Sequence, residues 1–213
     1  MPGLLRTING TATLNATASL KTKHEGILSA NIEFVTNPNR GISDFFLNVT
    51  QNACNLATVK LQSLTRSSSR LTAFFGKQVK GITSANIVFA EKNDDIIARG
   101  FINKKAIIPF KASCGCNRGC HCTGAKKVKF KDGTTLKICI DKSLELALER
   151  LFAKLERVIK RLIKRQNPGK GTDPACIARC LRAGTICQAA CSIFAFICAP
   201  ACLAVQAICV ATC

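Results

Sequence analysis

The last forty or so residues carry eight cysteines on a fixed register: Cys176, Cys180, Cys187, Cys191, Cys198, Cys202, Cys209 and Cys213. The spacings alternate between four and seven, so an eleven-residue unit repeats. Eleven residues make close to three helical turns at about 100° per residue. On one straight helix all eight sulfurs would fall within an arc of roughly 100°. No charged residue occurs from Ala183 to Cys213. Cysteines four apart on a helix point the same way, with Cβ atoms about 6 Å apart. A disulfide needs about 3.5–4.5 Å. Bridges inside a Cys-x-x-x-Cys pair are therefore not expected, and partners must come from another helix. Gly184-Thr185 and Ala199-Pro200 are the expected breaks, the second because Pro suits a helical first turn. The tail is then up to three short helices near 174–183, 186–198 and 201–213, with sulfurs inward and as many as four bridges. Eight cysteines allow 105 pairings, among which sequence does not choose.

Three readings fit this pattern. A segment of about 40 residues is too small to rely on burial alone, so disulfide staples make physical sense. Ile193, Phe194, Phe196, Ile197, Leu203, Val205, Ile208 and Val210 would lie outside the sulfur core. That apolar exterior suits a membrane-active peptide. A cysteine-lined interior could instead hold soft ions such as Cu(I). The third reading is a plain apolar anchor, since the charge-free run exceeds the ~20 residues needed to span a bilayer.

The formal net charge of +19 is unevenly placed. Residues 1–110 carry 13 basic and 6 acidic side chains, residues 111–172 carry 16 and 5, and residues 173–213 carry 2 and 1. A basic segment beside an apolar one suits an anionic membrane surface. Nucleic acid is not among the expected partners: Trp and Tyr are absent and the Phe residues lie in apolar runs, so stacking platforms look absent. Fourteen cysteines favour oxidised pairs or bound metal. The N-terminus has no basic stretch followed by an apolar one, so a signal peptide is not expected. Three Asn-x-Thr sequons, at Asn9, Asn15 and Asn48, then read as chance. Neither His24 nor His121 sits in a catalytic motif, and no phosphate-binding Gly-rich loop follows a strand. An enzyme is not expected.

Along the chain, residues 8–50 read as strands, with Thr11, Thr13, Asn15 and Thr17 alternating with small residues. Asn37-Pro38-Asn39 with Gly41 is a turn. Residues 51–66 read as weakly helical and 67–79 as a short helix, because Leu71, Phe74 and Phe75 fall at i, i+3, i+4. Residues 82–89, 96–102 and 106–110 read as strands, with a turn at 92–95. Gly26–Phe34 recurs as Gly81–Phe89 with seven of nine positions identical, which is either a duplicated β unit or two similar strand entries. Asp132-Gly133 predicts a hairpin between 128–130 and 136–140. Residues 141–165 are a strong amphipathic helix, acidic early at Glu145 and Glu149 and basic late at Lys164 and Arg165, matching the helix dipole. The Pro- and Gly-rich stretch after it is the clearest linker.

Cys114, Cys116, Cys120 and Cys122 form a dense Cys-x-Cys-x-x-x-Cys-x-Cys knot. Zinc sites prefer two or more residues between paired ligands. Flanking Arg118, Lys126 and Lys127 would lower thiol pKa. The knot is either a metal or redox cluster, or two disulfides in a loop with Cys139 or Cys54 as further partners. His121 reads as a loop residue.

Gly81–Phe110, ending in Ile107-Ile108-Pro109-Phe110, followed by a linker and the Cys-x-x-x-Cys tail, resembles halocin-type bacteriocin precursors. The resemblance implies an antimicrobial C-terminal peptide and a preceding part that serves as immunity protein. The expected fold is α+β: an N-terminal antiparallel β-rich domain with an amphipathic helix (1–166), a linker (167–173) and a small all-α disulfide-rich tail (174–213). The expected function is a membrane-active antimicrobial precursor whose N-terminal domain carries or neutralises the tail. Lys164, Arg165, Gly169, Lys170 and Gly171 mark the processing region for a protease. The expected partners are a target membrane and the chain's own N-terminal domain, with secretion by a non-standard route or membrane association. No cofactor is expected. The competing classes are a thiolate protein storing Cu(I) or Zn and a cysteine-crosslinked structural protein of an envelope or spore.

Overall fold

A computed structural model describes residues 3–37, 42–65, 67–93, 95–112, 128–166 and 173–191, with positions 202, 209 and 210. The strands are β1 (Gly3–Ile8), β2 (Thr11–Thr22), β3 (Gly26–Asn37), β4 (Ile42–Gln51), β5 (Cys54–Thr65), β6 (Ser68–Phe75), β7 (Ser84–Lys92), β8 (Asp95–Ile102), β9 (Lys105–Ala106) and β10 (Phe110–Ala112). They form one antiparallel sheet in the order β1-β2-β3-β4-β5-β6-β7-β8-β10, with β9 also pairing with β8. Two helices are described, α1 (Lys142–Gln166) and α2 (Pro174–Cys191). The antiparallel β-rich part and the amphipathic helix are as the sequence predicts.

The meander follows from alternation and from left-handed asparagines. Leu14, Ala16 and Ala18 point inward on β2, while Thr13, Asn15 and Thr17 point out. Asn9-Gly10 joins β1 to β2 with both residues at positive φ. Asn52-Ala53 and Asn103-Lys104 do the same at the β4–β5 and β8–β9 corners. Two residues with positive φ make the turn whose twist matches the strands. Asn9 is thus a turn-former.

The helical expectations for 51–66 and 67–79 are overturned: these stretches are β5 and β6. On β6, Leu71, Ala73 and Phe75 are buried, whereas Phe74 is 55% exposed. Neighbours in a strand face opposite sides, so Phe74 and Phe75 part company. The i, i+3, i+4 coincidence suggested one helical face, but pairing to β5 and β7 on both sides determines the outcome.

Helix α1 lies on the inner face of β1, β2 and β3. Its Leu144, Leu148, Leu151, Phe152, Leu155 and Ile159 are buried, each worth about 1.5–3 kcal/mol relative to exposure. Beneath it β2 and β3 present Ala16, Ala18 and Ala30, whose short side chains let the helix settle close. The Lys154 ammonium donates to the Ser19 carbonyl at 2.6 Å. The 128–140 segment forms the predicted small hairpin: the Phe130 N–H donates to the Thr134 carbonyl and the Leu136 N–H to the Val128 carbonyl. It adds Val128, Phe130, Leu136, Ile138 and Ile140 to the core.

Candidate functional site

Asp173 starts α2. Its Oδ1 accepts the Ala175 N–H at 2.9 Å, and its carbonyl accepts the Ile177 N–H at 3.0 Å. A carboxylate there satisfies a helix-end donor and complements the dipole. Cys176, Cys180, Gly184 and Cys187 then fall on one buried stripe. The break expected at Gly184-Thr185 does not occur; α2 runs through both residues to Cys191. Glycine costs roughly 1 kcal/mol against alanine in a helix interior, too little to end a helix bridged on both sides of it.

Two bridges join α2 to the end of the chain: Cys180 to Cys209 and Cys187 to Cys202, each with Cα atoms 5.5 Å apart. Positions 202 and 209–210 are helical. Neither bridge closes a Cys-x-x-x-Cys pair, as the helix geometry predicts. Cys176 is also disulfide-bonded. The side chain of Cys191 and all of Cys198 and Cys213 lie outside the described residues, as do Ala199-Pro200 and most of the apolar residues expected on the tail's exterior.

Helix α2 and Cys202 sit on the inner face of the sheet. Helix α2 packs against β6 and β8. Cys187, 1% exposed, and Cys202 belong to the same apolar core as the strands and α1. Cys176, Cys180, Cys209 and Val210 form a smaller cluster. At the end of β3 the buried Thr36 hydroxyl donates to Cys209 Sγ at 3.5 Å. Its neighbour Asn37, also buried, donates to the Thr11 hydroxyl at 2.8 Å. Thr36 was not legible as a tail contact, and its neighbour Asn37, expected in a turn, is instead the last residue of β3.

The remaining site residues divide plainly. Lys164 and Arg165 are exposed in the last turn of α1. Gly169, Lys170 and Gly171 lie outside the described residues, as does the whole knot of Cys114, Cys116, Cys120, Cys122 and His121. Of its two suggested partners, Cys139 is disulfide-bonded and Cys54 is a free, exposed thiol. Sulfurs held in the Cys180–Cys209 and Cys187–Cys202 bridges offer no thiolate to a metal. Among the described residues, no group of three or more His, Cys, Asp or Glu side chains converges, and no helix is long and apolar enough to cross a membrane.

One charged cluster stands apart. Lys105 and Asp132 pair at 2.8 Å, and Lys105 also lies over the Phe130 ring at 5.8 Å. The Lys105 ammonium and then the Thr134 hydroxyl and N–H hold the Asp132 carboxyl well below the usual carboxylate range. The pair ties the β8–β9 corner to the 128–140 hairpin and is a structural feature.

No protein-family model, curated protein or solved structure matches this chain.

Proposed function

We propose that the chain is a masked membrane-active protein of the bacteriocin-precursor class. Residues 1–166 act as the cradle, and the bridged segment 174–213 is the active part. The seating of α2 and the Cys187–Cys202 bridge in the cradle's own core carries this reading. An apolar, charge-poor tail left exposed would associate indiscriminately. Covered by the sheet, it stays inert until released. The small all-α tail completes its hairpin through disulfides, because a peptide this short lacks the burial to hold shape alone. The immunity-like role of the N-terminal part is the same masking contact made with a released tail. A processing protease completes the scheme, with the 167–172 stretch as the cleavage region. Lys164 and Arg165 lie within a helix, whose coiled backbone suits a protease cleft poorly, so they flank the cut.

The test uses the full chain with a specific protease site placed at 167–172, folded oxidised. Vesicles of phosphatidylglycerol and phosphatidylcholine, loaded with dye, are expected to stay sealed with intact protein and to leak after cleavage. Equal leakage before and after cleavage removes the masking role. No leakage after verified tail release removes the membrane activity.

A further inference from the structure

The outer face of the sheet, opposite the tail, has a composition that masking does not require. Strand register aligns its side chains in rows. One row runs Phe46, Lys60, Thr72, Asn86 and Phe101 across β4 to β8. The next runs Asn48, Thr58, Phe74 and Ser84. A third holds Arg70, Val88 and Arg99. Phe74 and Phe101 are 55% and 53% exposed, and Phe46 is half-buried. The sequence placed these phenylalanines in apolar runs. The pleat instead turns them away from the core.

Spacing follows from sheet geometry. Phe74 lies two strands and one row from both Phe46 and Phe101, about 12 Å from each at ordinary strand separation and rise. The three rings do not form one greasy patch; amides and hydroxyls separate them. Lys60 stands directly across from Phe46, and Arg99 is two residues before Phe101 on the same strand. Lys60, Arg70 and Arg99 are exposed and none takes part in an ion pair among the described residues. Two acids border the face: exposed Glu33 stands directly across from Phe46 on β3, and half-buried Asp44 accepts the Ser63 N–H at 2.7 Å.

We propose that the outer face of β4–β8 binds single-stranded nucleic acid. Isolated exposed apolar residues need no explanation, but here each element a single strand requires is present on one face. Spaced rings offer stacking planes to bases. Lys60 between Phe46 and Phe74, with Arg70 and Arg99 in the adjoining row, meets phosphates, favoured by a chain of net charge +19. Asn48, Thr58, Thr72 and Asn86 offer hydrogen bonds to base edges and sugars. A lipid surface would call for contiguous apolar side chains to insert, and this face interrupts them with amides. A neutral glycan would gain nothing from the three cations. The site lies on the far side of the sheet from the tail, so the proposal does not depend on membrane activity.

The experiment measures binding of full-length oxidised protein to a fluorescein-labelled 20-nucleotide oligo-dT by anisotropy across a salt series. Phe74→Ala and Phe101→Ala are each expected to weaken binding by about tenfold or more. Both side chains are half exposed, so thermal unfolding should stay unchanged and confirm folding. Lys60→Gln, Arg70→Gln and Arg99→Gln should each lower the salt slope by about 0.7. Three results overturn the proposal. One is no binding at low salt. Another is binding indifferent to the outer-face variants but abolished by Arg157→Gln/Lys160→Gln/Arg161→Gln on α1. The third is Phe-dependent binding to anionic vesicles or to a soluble neutral glucan with none to oligo-dT.

Discussion

Asn52 in the β4–β5 corner accepts the Ile27 backbone N–H on its side-chain oxygen at 2.9 Å, while its own N–H donates to the Ile27 carbonyl at 2.8 Å. Asn103 in the β8–β9 corner repeats the device. Its Oδ1 accepts the Thr83 N–H at 2.7 Å, its N–H donates to the Ser84 carbonyl, and its amide donates to the Gly81 carbonyl. Both asparagines have φ near 50°, and both clamp the start of an echoing segment, entered through Gly26 and Gly81 at positive φ. A Cβ at Gly81 would meet the Lys137 carbonyl oxygen at 1.8 Å. The two halves of the echo therefore share a clamp as well as a sequence.

Asn52→Ala and Asn103→Ala should each destabilise the fold. Each strands strand-entry N–H groups and places alanine in a left-handed conformation, a combined cost of about 2 kcal/mol. Asn103 makes more of these bonds, so its replacement should cost more. Urea unfolding of the two variants checks the order; a neutral Asn103→Ala would refute the clamp.

The residue after each asparagine offers the opposite change. Ala53 has φ 65° and Lys104 φ 63°, a region where a side chain costs about 1–2 kcal/mol. Ala53→Gly and Lys104→Gly should each stabilise by about 0.5–1 kcal/mol after the greater freedom of glycine in the unfolded chain is subtracted. Higher thermal midpoints would bear this out, and lower ones would not.

Leu151 is fully buried where α1 meets the alanine-lined strands. Leu151→Ala should cost about 3 kcal/mol through lost burial and a residual cavity. Leu146, on the exposed side of the same helix, should tolerate alanine within about 0.5 kcal/mol. Equal losses at both positions would mean the helix faces another way.

Asp132 carries the one acid response assigned to a particular pair. Its folded-state carboxyl is held low by Lys105 first and Thr134 second, so any contribution is present above the unfolded value of about 3.9. It is lost as pH falls from there toward the folded value. The carboxyl carbon shift of Asp132 should stay flat through pH 4 and move only in stronger acid. Lys105→Gln should bring the midpoint up toward 3.9. A wild-type midpoint near 3.9 would show the pair to be loose.

Much of the sheet and α1 was legible because their periods differ cleanly. Strand β2 alternates without interruption, and the apolar positions of 141–165 repeat at 3.6, matching α1 at 142–166. Strands β5 and β6 were not. The pairing around β5 shifts at Val49/Thr50 and Ser63/Thr65, and Leu56 and Ala57 are both buried, which breaks the alternation that marks a strand. On β6 a two-residue period and a helical one coincide over Leu71–Phe75, and only pairing partners decide. For the tail, sequence showed that bridges must cross between helices. It could not show that Gly184 remains helical, nor that Thr36 of β3 would meet Cys209.

The two bridges of the tail constrain the others. Moving from Cys180 to Cys187 advances seven residues, and moving between their partners, Cys209 and Cys202, retreats seven. That is an antiparallel ladder, and the four-seven spacing continues it at both ends. A step of four outward reaches Cys176 with Cys213, and a step of four inward reaches Cys191 with Cys198. Cys176 is already disulfide-bonded. Tandem mass spectrometry of unreduced, digested protein should therefore find these two linkages beside the described pair. Cys187→Ala/Cys202→Ala removes one rung between linkages that still tie the two helices, so it should cost less than the ~3 kcal/mol of an isolated 15-residue bridge and leave the outer linkage intact. A Cys176–Cys180 linkage, or scrambled partners at Cys213, would mean the spacing reflects something other than two helices lying antiparallel.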